Sequence, residues 1–358
     1  MKNRLIGVDV ARAFAIAGMI IVNFKIVLGD NGNEIVKLFS SFFEGKAAAT
    51  FVVLAGIGVG FMSNSAVISY DKTQIKRAQI KIAKRAIFLF IVGISYNSIW
   101  VADILHFYGI YMLVTLFLIS YSKRLIINLG FLTVLSYPII MSILDYETSW
   151  NFETLTYFDF WTFPGFFRNL FYNGFHPVIP WIAFMFLGLW FGKHDLSNSK
   201  FIKKSMLVSL IIYIIMLCIS KLLIYIISEN NIAPILELEY VVGMSPMPPL
   251  PIYMISSAAI AIFVISSCIL ISKKYENNLL INVLAKTGRL ALTFYISHVV
   301  IGIGIIEAMY PEKMGHFSIE FSITYALLFS LVSIFFAGIW TKFIRLGPLE
   351  WIMRKITS

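Results

Sequence analysis

A histidine stands in the middle of an apolar segment near the C-terminal end of the chain, where an imidazole needs a hydrogen-bond partner. The segment reads TGRLALTFYISH from Thr287 to His298. As a helix it places His298 roughly 14 Å beyond Arg289. Because imidazole titrates near neutral pH, a histidine at this depth suits proton transfer. The alternative is a histidine that only packs and hydrogen-bonds inside the protein.

The first apolar segment carries a second set of polar side chains. Asp9 and Arg12 are three residues apart, so they can form an ion pair on one face of a helix. Asn23 follows close to three full turns after Arg12 and therefore points the same way. Either these residues line a polar path, or Asp9 and Arg12 anchor the helix end and Asn23 bridges two helices.

Apolar runs of about 20 residues hold these polar side chains, and runs of that length cross a bilayer as helices. The mean hydropathy of +0.84 agrees with this interpretation. The sequence predicts an all-α polytopic membrane helix bundle of about ten spans, with residues 1–358 as a single domain; the boundary around residues 100–106 is the least defined. The predicted spans are residues 6–28, 47–69, 86–102, 104–121, 125–144, 176–192, 205–227, 252–272, 290–309 and 319–343.

The charges are distributed unevenly between the loops. The chain has 29 lysines and arginines and a net charge of +10. Most of the basic residues fall on one side of the predicted membrane, which predicts that both termini are cytoplasmic. We attribute the basic charge to topology and contact with anionic lipid, and we expect no nucleic-acid partner. The two cysteines, Cys218 and Cys268, form no metal-binding or disulfide pattern, so no metal is expected.

Two long loops lie on the predicted outer side, at about residues 145–175 and 228–251. The first is rich in aromatic residues, so it either rests at the headgroup level or forms a lid over an outward-facing acceptor site. The second ends in prolines, which force an abrupt entry into the next span. Polar and aromatic residues on the predicted outer side are candidates for substrate binding: Asp103, His106, His176, Trp181 and Glu44.

Several segments occur in the same order as in a known superfamily. Residues 4–23 read RLIGVDVARAFAIAGMIIVN and resemble the start of a superfamily of transmembrane acyltransferases. Within it, the chain is most similar to the bacterial DUF418 (YeiB-like) membrane proteins. Other segments are similar to the same proteins or to the related heparan-α-glucosaminide N-acetyltransferase group: residues 103–108, 177–188, 288–295, 293–298 and 347–354.

The resemblance implies an acyl-CoA donor, acetyl-CoA or a longer one, which binds from the cytoplasm. The acceptor, a hydroxyl or an amine, would be reached from the far side. By this analogy Arg12 and Arg289, with Asp9, lie at the inner mouth and meet the donor phosphates. Asn23 and His298 then occupy the positions of catalytic residues.

The chain departs from the sugar acetyltransferases in one region. Residues 39–50 lack the histidine and the aspartate that those enzymes carry after the first span. We therefore expect direct attack in a ternary complex, with His298 or Glu44 removing the proton. Glu44 is alternatively only part of the rim of the outer loop.

The sequence thus predicts an acyltransferase of the bacterial cytoplasmic membrane that modifies a glycan, a lipid or a small molecule of the cell envelope. Its expected partners are the lipid bilayer, acyl-CoA and the acceptor. A homodimer is compatible with the sequence. Two alternatives stay open. One is a transporter or flippase for a small polar or amphipathic solute, although no internal repeat favours it. The other is a receptor or scaffold without catalytic activity.

Overall fold

The computed structural model describes residues 5–229 and 235–357. Arg4, the first residue of the N-terminal motif, lies outside the described residues, as do residues 230–234 of the second long loop. The described residues are almost entirely helical, which confirms the predicted all-α bundle.

The helices have the following bounds in chain order. They are α1 (Ile6–Leu28), α2 (Glu34–Ser41), α3 (Lys46–Ile68), α4 (Lys72–Tyr96), α5 (Leu105–Thr115), α6 (Lys123–Met141), α7 (Phe163–Arg168), α8 (Val178–Gly192), α9 (Ser199–Glu229), α10 (Ile235–Val241), α11 (Pro251–Lys274), α12 (Leu279–Arg289), α13 (Ala291–Ser297), α14 (Gly304–Met309), α15 (Ile319–Phe343) and α16 (Pro348–Thr357). Two short antiparallel strands, β1 (Trp150–Asn151) and β2 (Thr156–Tyr157), form a hairpin between α6 and α7. A π-helical turn, Asn169–Asn173, continues α7, and a second, His298–Ile303, joins α13 to α14.

Seven helical segments of the described chain are long and apolar enough to cross a bilayer. They are α1, α2 with α3, α6, α9, α11, α13 with α14, and α15. An eighth span is formed if α7 and α8 are taken together, since they are bent by 49° at a short break, residues 174–177. The predicted count of about ten is reached only with α4, whose first half is charged, and α5, which has 11 residues.

Helix α1 lies at the centre of the bundle and packs against α3, α11, α12 and α15. Helix α3 packs closely on α8 through glycines, because a Cβ atom on Gly56 would lie 2.2 Å from the carbonyl oxygen of Met185. By contrast, only 6% of the most apolar stretch of α9 is buried. This helix therefore presents its apolar side chains to lipid.

Residues 145–175, for which the headgroup-level segment and the lid both stay open and which we call the aromatic lid for brevity, form an ordered substructure on the predicted outer side. Its buried rings, Trp150, Tyr157 and Phe160, form one cluster. Asn173 holds the hairpin, because its Oδ1 accepts a hydrogen bond from the Tyr157 hydroxyl at 2.8 Å and its backbone oxygen accepts one from Trp150 Nε1 at 2.6 Å. Other rings of the lid are largely exposed, among them Trp161, and such rings suit the headgroup region of a bilayer.

Candidate functional site

Asn23 and His298 are hydrogen-bonded to each other in the outer half of the bundle. Asn23 Nδ2 donates to His298 Nε2 at 2.8 Å, and His298 Nδ1 donates to the carbonyl oxygen of Phe294 at 3.2 Å. These two bonds assign the proton of the neutral ring to Nδ1. The imidazole is fully buried and lies against the rings of Phe24 and Tyr295. The hydrogen-bond partner that a histidine needs at this depth is therefore Asn23.

The local backbone explains how His298 reaches α1. His298 is the first residue of the π-helical turn between α13 and α14, and such turns are frequent at functional sites. Gly302 in the same turn allows the two segments to approach, because a Cβ atom there would lie 2.6 Å from the ring of Phe24. The pair thus depends on a backbone irregularity and a glycine, both in the segment after α13.

An inner polar cluster lies at the cytoplasmic end of α1. Arg12 Nη1 and Asp9 Oδ1 form the predicted ion pair at 2.6 Å. Arg289 Nε lies 3.7 Å from the other carboxylate oxygen of Asp9. Helix α12 can approach α1 this closely because residue 288 is a glycine, where a Cβ atom would lie 1.8 Å from the Asp9 carbonyl oxygen. The structure therefore brings together Asp9, Arg12 and Arg289.

Next to this cluster is a cavity of about 490 Å³. Besides apolar side chains, it is lined by these charged residues: Arg12, Lys81, Arg85, Arg289, Glu350 and Arg354. The excess of cations makes the cavity suited to a polyanionic ligand such as a nucleotide phosphate. Sequence reasoning missed Lys81, Arg85 and Arg354 as site residues, because it assigned their charge to topology alone. The available signal was the spacing of Lys81 and Arg85, four residues apart on one helix.

The C-terminal helix is fixed to α13 by one carboxylate. Glu350 Oε1 accepts hydrogen bonds from the backbone N–H groups of Leu292 at 2.7 Å and Thr293 at 3.1 Å. Its other oxygen accepts one from the Thr293 hydroxyl at 2.6 Å. Glu350 thereby satisfies N–H groups at the start of α13 that have no partner within the helix. The contact also places Arg354, one turn further along α16, at the cavity.

Aromatic rings separate the cavity from the Asn23–His298 pair. Phe51 and Tyr108 line the cavity, with their ring centroids 6.0 Å apart. The ring of Tyr295 lies 6.4 Å from that of Phe51 and 5.5 Å from that of His298. The rings of Phe51 and Tyr295 therefore lie between the cavity and the pair. We call Phe51, Tyr108 and Tyr295 the aromatic partition.

Asp103 and His106 form a buried pair beside the aromatic partition. His106 Nδ1 lies 2.9 Å from Asp103 Oδ2, and the Tyr295 hydroxyl donates to Asp103 Oδ1 at 3.0 Å. The same hydroxyl accepts a hydrogen bond from the backbone N–H of Ile104 at 3.0 Å. Asp103 and His106 are at most 1% exposed. The two candidate residues thus belong to one hydrogen-bonded network with α13.

His176 and Trp181 lie nearby, at the break between α7 and α8. The two rings are nearly perpendicular, with centroids 4.5 Å apart, and the His176 ring lies 6.0 Å from that of Phe107. Glu44 is different, because it forms an ion pair with Lys25 at 2.6 Å and is partly exposed. The structure therefore groups His176 and Trp181 with Asp103 and His106. Glu44 lies apart from them, in its ion pair with Lys25.

Within the described residues, no group of three or more histidine, cysteine, aspartate or glutamate side chains has the geometry to hold a metal ion.

Comparison with known proteins gives two family matches. Residues 190–358 match a family described as protein of unknown function (DUF418). Residues 4–230 match the family described as heparan-alpha-glucosaminide N-acetyltransferase, catalytic. No curated protein matches the chain. The second match includes Arg12, Asn23 and the Asp103–His106 pair, and the first includes Arg289 and His298. The resemblance predicted from the motifs is thus confirmed, with the DUF418 match confined to residues 190–358. The chain is an acyltransferase-like membrane protein that belongs to the heparan-alpha-glucosaminide N-acetyltransferase catalytic family.

Proposed function

We propose that the protein transfers an acyl group, acetyl in the simplest case, from cytoplasmic acyl-CoA to a hydroxyl or amine acceptor at the outer side of the membrane. The observation that carries this proposal is the succession of a cation-lined cavity, an aromatic partition and a hydrogen-bonded amide–imidazole pair, each in contact with the next. The acceptor would be a glycan, a lipid or a small molecule of the cell envelope.

The donor end of acyl-CoA would occupy the cytoplasmic cavity. Arg12 and Arg289 are held there by Asp9, so their guanidinium groups are oriented before the ligand binds. Planar guanidinium groups form paired hydrogen bonds with phosphate oxygens. Arg85 and Arg354 add charge from α4 and α16. The thioester would then point towards the aromatic partition.

Once the side chains of the aromatic partition move aside, the thioester carbonyl would be held by Asn23. One hydrogen of its Nδ2 group is donated to His298, which leaves the other free to donate to the carbonyl oxygen. A donor aimed at an oxygen that gains negative charge stabilises the transition state. Attack by the acceptor forms the new C–O or C–N bond and breaks the C–S bond. The electron pair of the broken bond leaves with CoA as a thiolate.

His298 would hold the Asn23 amide in this orientation. The sequence also predicted His298 or Glu44 as the base that removes the acceptor proton. In the structure His298 Nε2 already accepts from Asn23, and Glu44 is paired with Lys25. His298 could act as the base only after that amide turns away. We therefore propose His298 primarily as the partner of Asn23.

One structural feature favours the alternative of a transporter. The bent α7–α8 pair is a discontinuous helix with a histidine in its break, and transporters use such helices at their binding sites. A transporter would move a solute across liposomes without CoA, whereas an acyltransferase would consume the thioester.

The experiment measures acetyl-CoA binding by calorimetry and CoA thiol release by the purified protein in nanodiscs, with glucosamine as the probe acceptor. We expect binding and acceptor-dependent thiol release, both lost or strongly reduced in Arg12→Ala. Thiol release should also be lost or strongly reduced in His298→Ala. His316→Ala, which changes an exposed loop histidine, is its control and should behave like the unmodified protein. Absence of acetyl-CoA binding by the unmodified protein would overturn the proposal.

A further inference from the structure

The Asp103–His106 pair has a feature that the proposed acyl transfer does not yet use. His106 donates its Nδ1 proton to Asp103, so Nε2 carries the free lone pair. This Nε2 atom is buried and has no hydrogen-bond partner among the described residues. A buried polar atom without a partner costs free energy, so such atoms usually serve a bound group.

Two more unpartnered polar atoms lie in the same region. His176 Nδ1 and Trp181 Nε1 are buried and have no hydrogen-bond partner in the described part of the chain. The ring of Phe107 joins the two histidines, since its centroid lies 3.9 Å from that of His106 and 6.0 Å from that of His176. Phe160 of the aromatic lid lies edge-on to the His106 ring, with centroids 6.0 Å apart. The unpartnered atoms of His106, His176 and Trp181 thus lie in one buried region beneath the aromatic lid.

The pair is held rigidly from two sides. Tyr295 donates to Asp103 and packs against His298, so the two imidazoles lie on either side of one tyrosine. On the other side, a Cβ atom on Gly93 would lie 2.6 Å from Asp103 Oδ2 and 2.3 Å from the His106 backbone nitrogen. Glycine at position 93 thus allows α4 to close on the pair. An imidazole oriented by a buried carboxylate, with its other nitrogen free, has the arrangement of a general base.

We infer that His106, oriented by Asp103 and Tyr295, is the base that removes the proton from the acceptor; this rests on the proposed acyl transfer. The acceptor O–H or N–H proton passes to His106 Nε2 as the new bond to the carbonyl carbon forms. The C–S bond breaks, and the CoA thiolate takes a proton from cytoplasmic water. Asp103 stabilises the imidazolium until His106 releases its proton to the outer side.

The test compares two nucleophiles in the CoA-release measurement. N-acetylglucosamine offers hydroxyl groups, which need a base, whereas hydroxylamine is unprotonated at neutral pH and does not. We expect His106→Gln to lower release with N-acetylglucosamine by about 100-fold or more. Release with hydroxylamine and the dissociation constant of acetyl-CoA should stay within about twofold, which also shows that the variant is folded. His316→Gln should change neither rate.

Two further variants keep the test independent of His106→Gln. Asp103→Asn and Tyr295→Phe retain size and should cause smaller decreases that are again selective for N-acetylglucosamine. Equal loss with both nucleophiles, or no loss with either, would overturn the role of His106. Unmodified protein that reacts with hydroxylamine alone would overturn it too. Absence of CoA release with both nucleophiles would instead contradict the proposed acyl transfer, and the inference with it.

Discussion

The side chains of Asn23 and His298 meet in a 2.8 Å hydrogen bond although they lie 275 positions apart in the chain. The bond joins the central helix α1 to the π-helical turn after α13. It therefore connects the N-terminal and C-terminal halves of the molecule, which match two different families.

Removing either member of this pair should abolish acyl transfer. We expect Asn23→Ala to lower the rate of CoA release by about 100- to 1000-fold, because the thioester oxygen loses its donor. His298→Ala should have a similar effect, since the Asn23 amide would lose its orientation. Asn23→Ala also leaves the buried His298 Nε2 without a partner, at a cost of about 1–3 kcal/mol in stability. Turnover and melting temperature in detergent measure both effects, and unchanged turnover in both variants would exclude the pair as the reacting site.

The cations of the inner cavity should bind the phosphates of the donor. Arg85 lines the cavity, whereas Arg77 on the same helix is exposed and lies two turns nearer the start of α4. We expect Arg85→Ala to weaken acetyl-CoA binding by about 10- to 100-fold, the effect of losing a hydrogen bond to a charged group. Arg77→Ala is the matched control and should change the dissociation constant by less than about twofold. Equal effects of the two substitutions in calorimetry would indicate general attraction to the basic surface.

The aromatic partition should limit the length of the transferred chain. Phe51 forms part of the cavity wall and lies next to Tyr295. Phe51→Ala would open space at that end, so we expect kcat/KM for butyryl-CoA to rise relative to that for acetyl-CoA. Phe51→Trp should lower the same ratio. Because loss of a packed aromatic ring costs about 3–5 kcal/mol, Phe51→Leu serves as a milder variant. A ratio that is the same in all three variants would mean that the acyl chain does not pass Phe51.

Glu350 should make stability depend on pH. Burial raises the pKa of this carboxyl above its usual value of 4.5, although hydrogen bonds from Thr293 and Leu292 act in the opposite direction. The folded state then binds the proton more tightly than the unfolded chain. The contribution to stability is therefore full below pH 4.5 and decreases as the pH rises through the raised pKa.

Glu350→Gln removes this titration and keeps the size of the side chain. Its melting temperature should fall less than that of the unmodified protein as the pH is raised from 4.5. Glu312→Gln changes an exposed carboxyl in the loop after α14 and should follow the unmodified protein. Identical pH profiles for Glu350→Gln and the unmodified protein would show that burial does not shift this group.

The sequence predicted the features that depend on the spacing of residues close together in the chain. The apolar runs predicted the first and last residues of α1, α3, α11 and α15 almost as the structure has them. The three-residue interval between Asp9 and Arg12 predicted their ion pair, because neighbours on a helix face need no knowledge of the tertiary structure.

The contacts that build the site depend on how distant helices pack. Asn23 and His298 were each singled out as polar residues in apolar spans, yet nothing local indicates that they meet. Glu350 was not singled out by the sequence, because only the docking of α16 makes it accept from Thr293. Arg85 was assigned to topology, because the predicted third span began after it, whereas α4 begins at Lys72.

Sidedness is the most direct test of transfer through the bundle. Proteoliposomes with acetyl-labelled acetyl-CoA on the face of the chain termini, and glucosamine only on the opposite face, would be assayed for labelled product. We expect acetylated glucosamine on the face opposite the donor, formed by the unmodified protein and His316→Ala but not by Asn23→Ala. Product only on the donor face, or product formed equally well by Asn23→Ala, would contradict acyl transfer across the membrane at the Asn23–His298 pair.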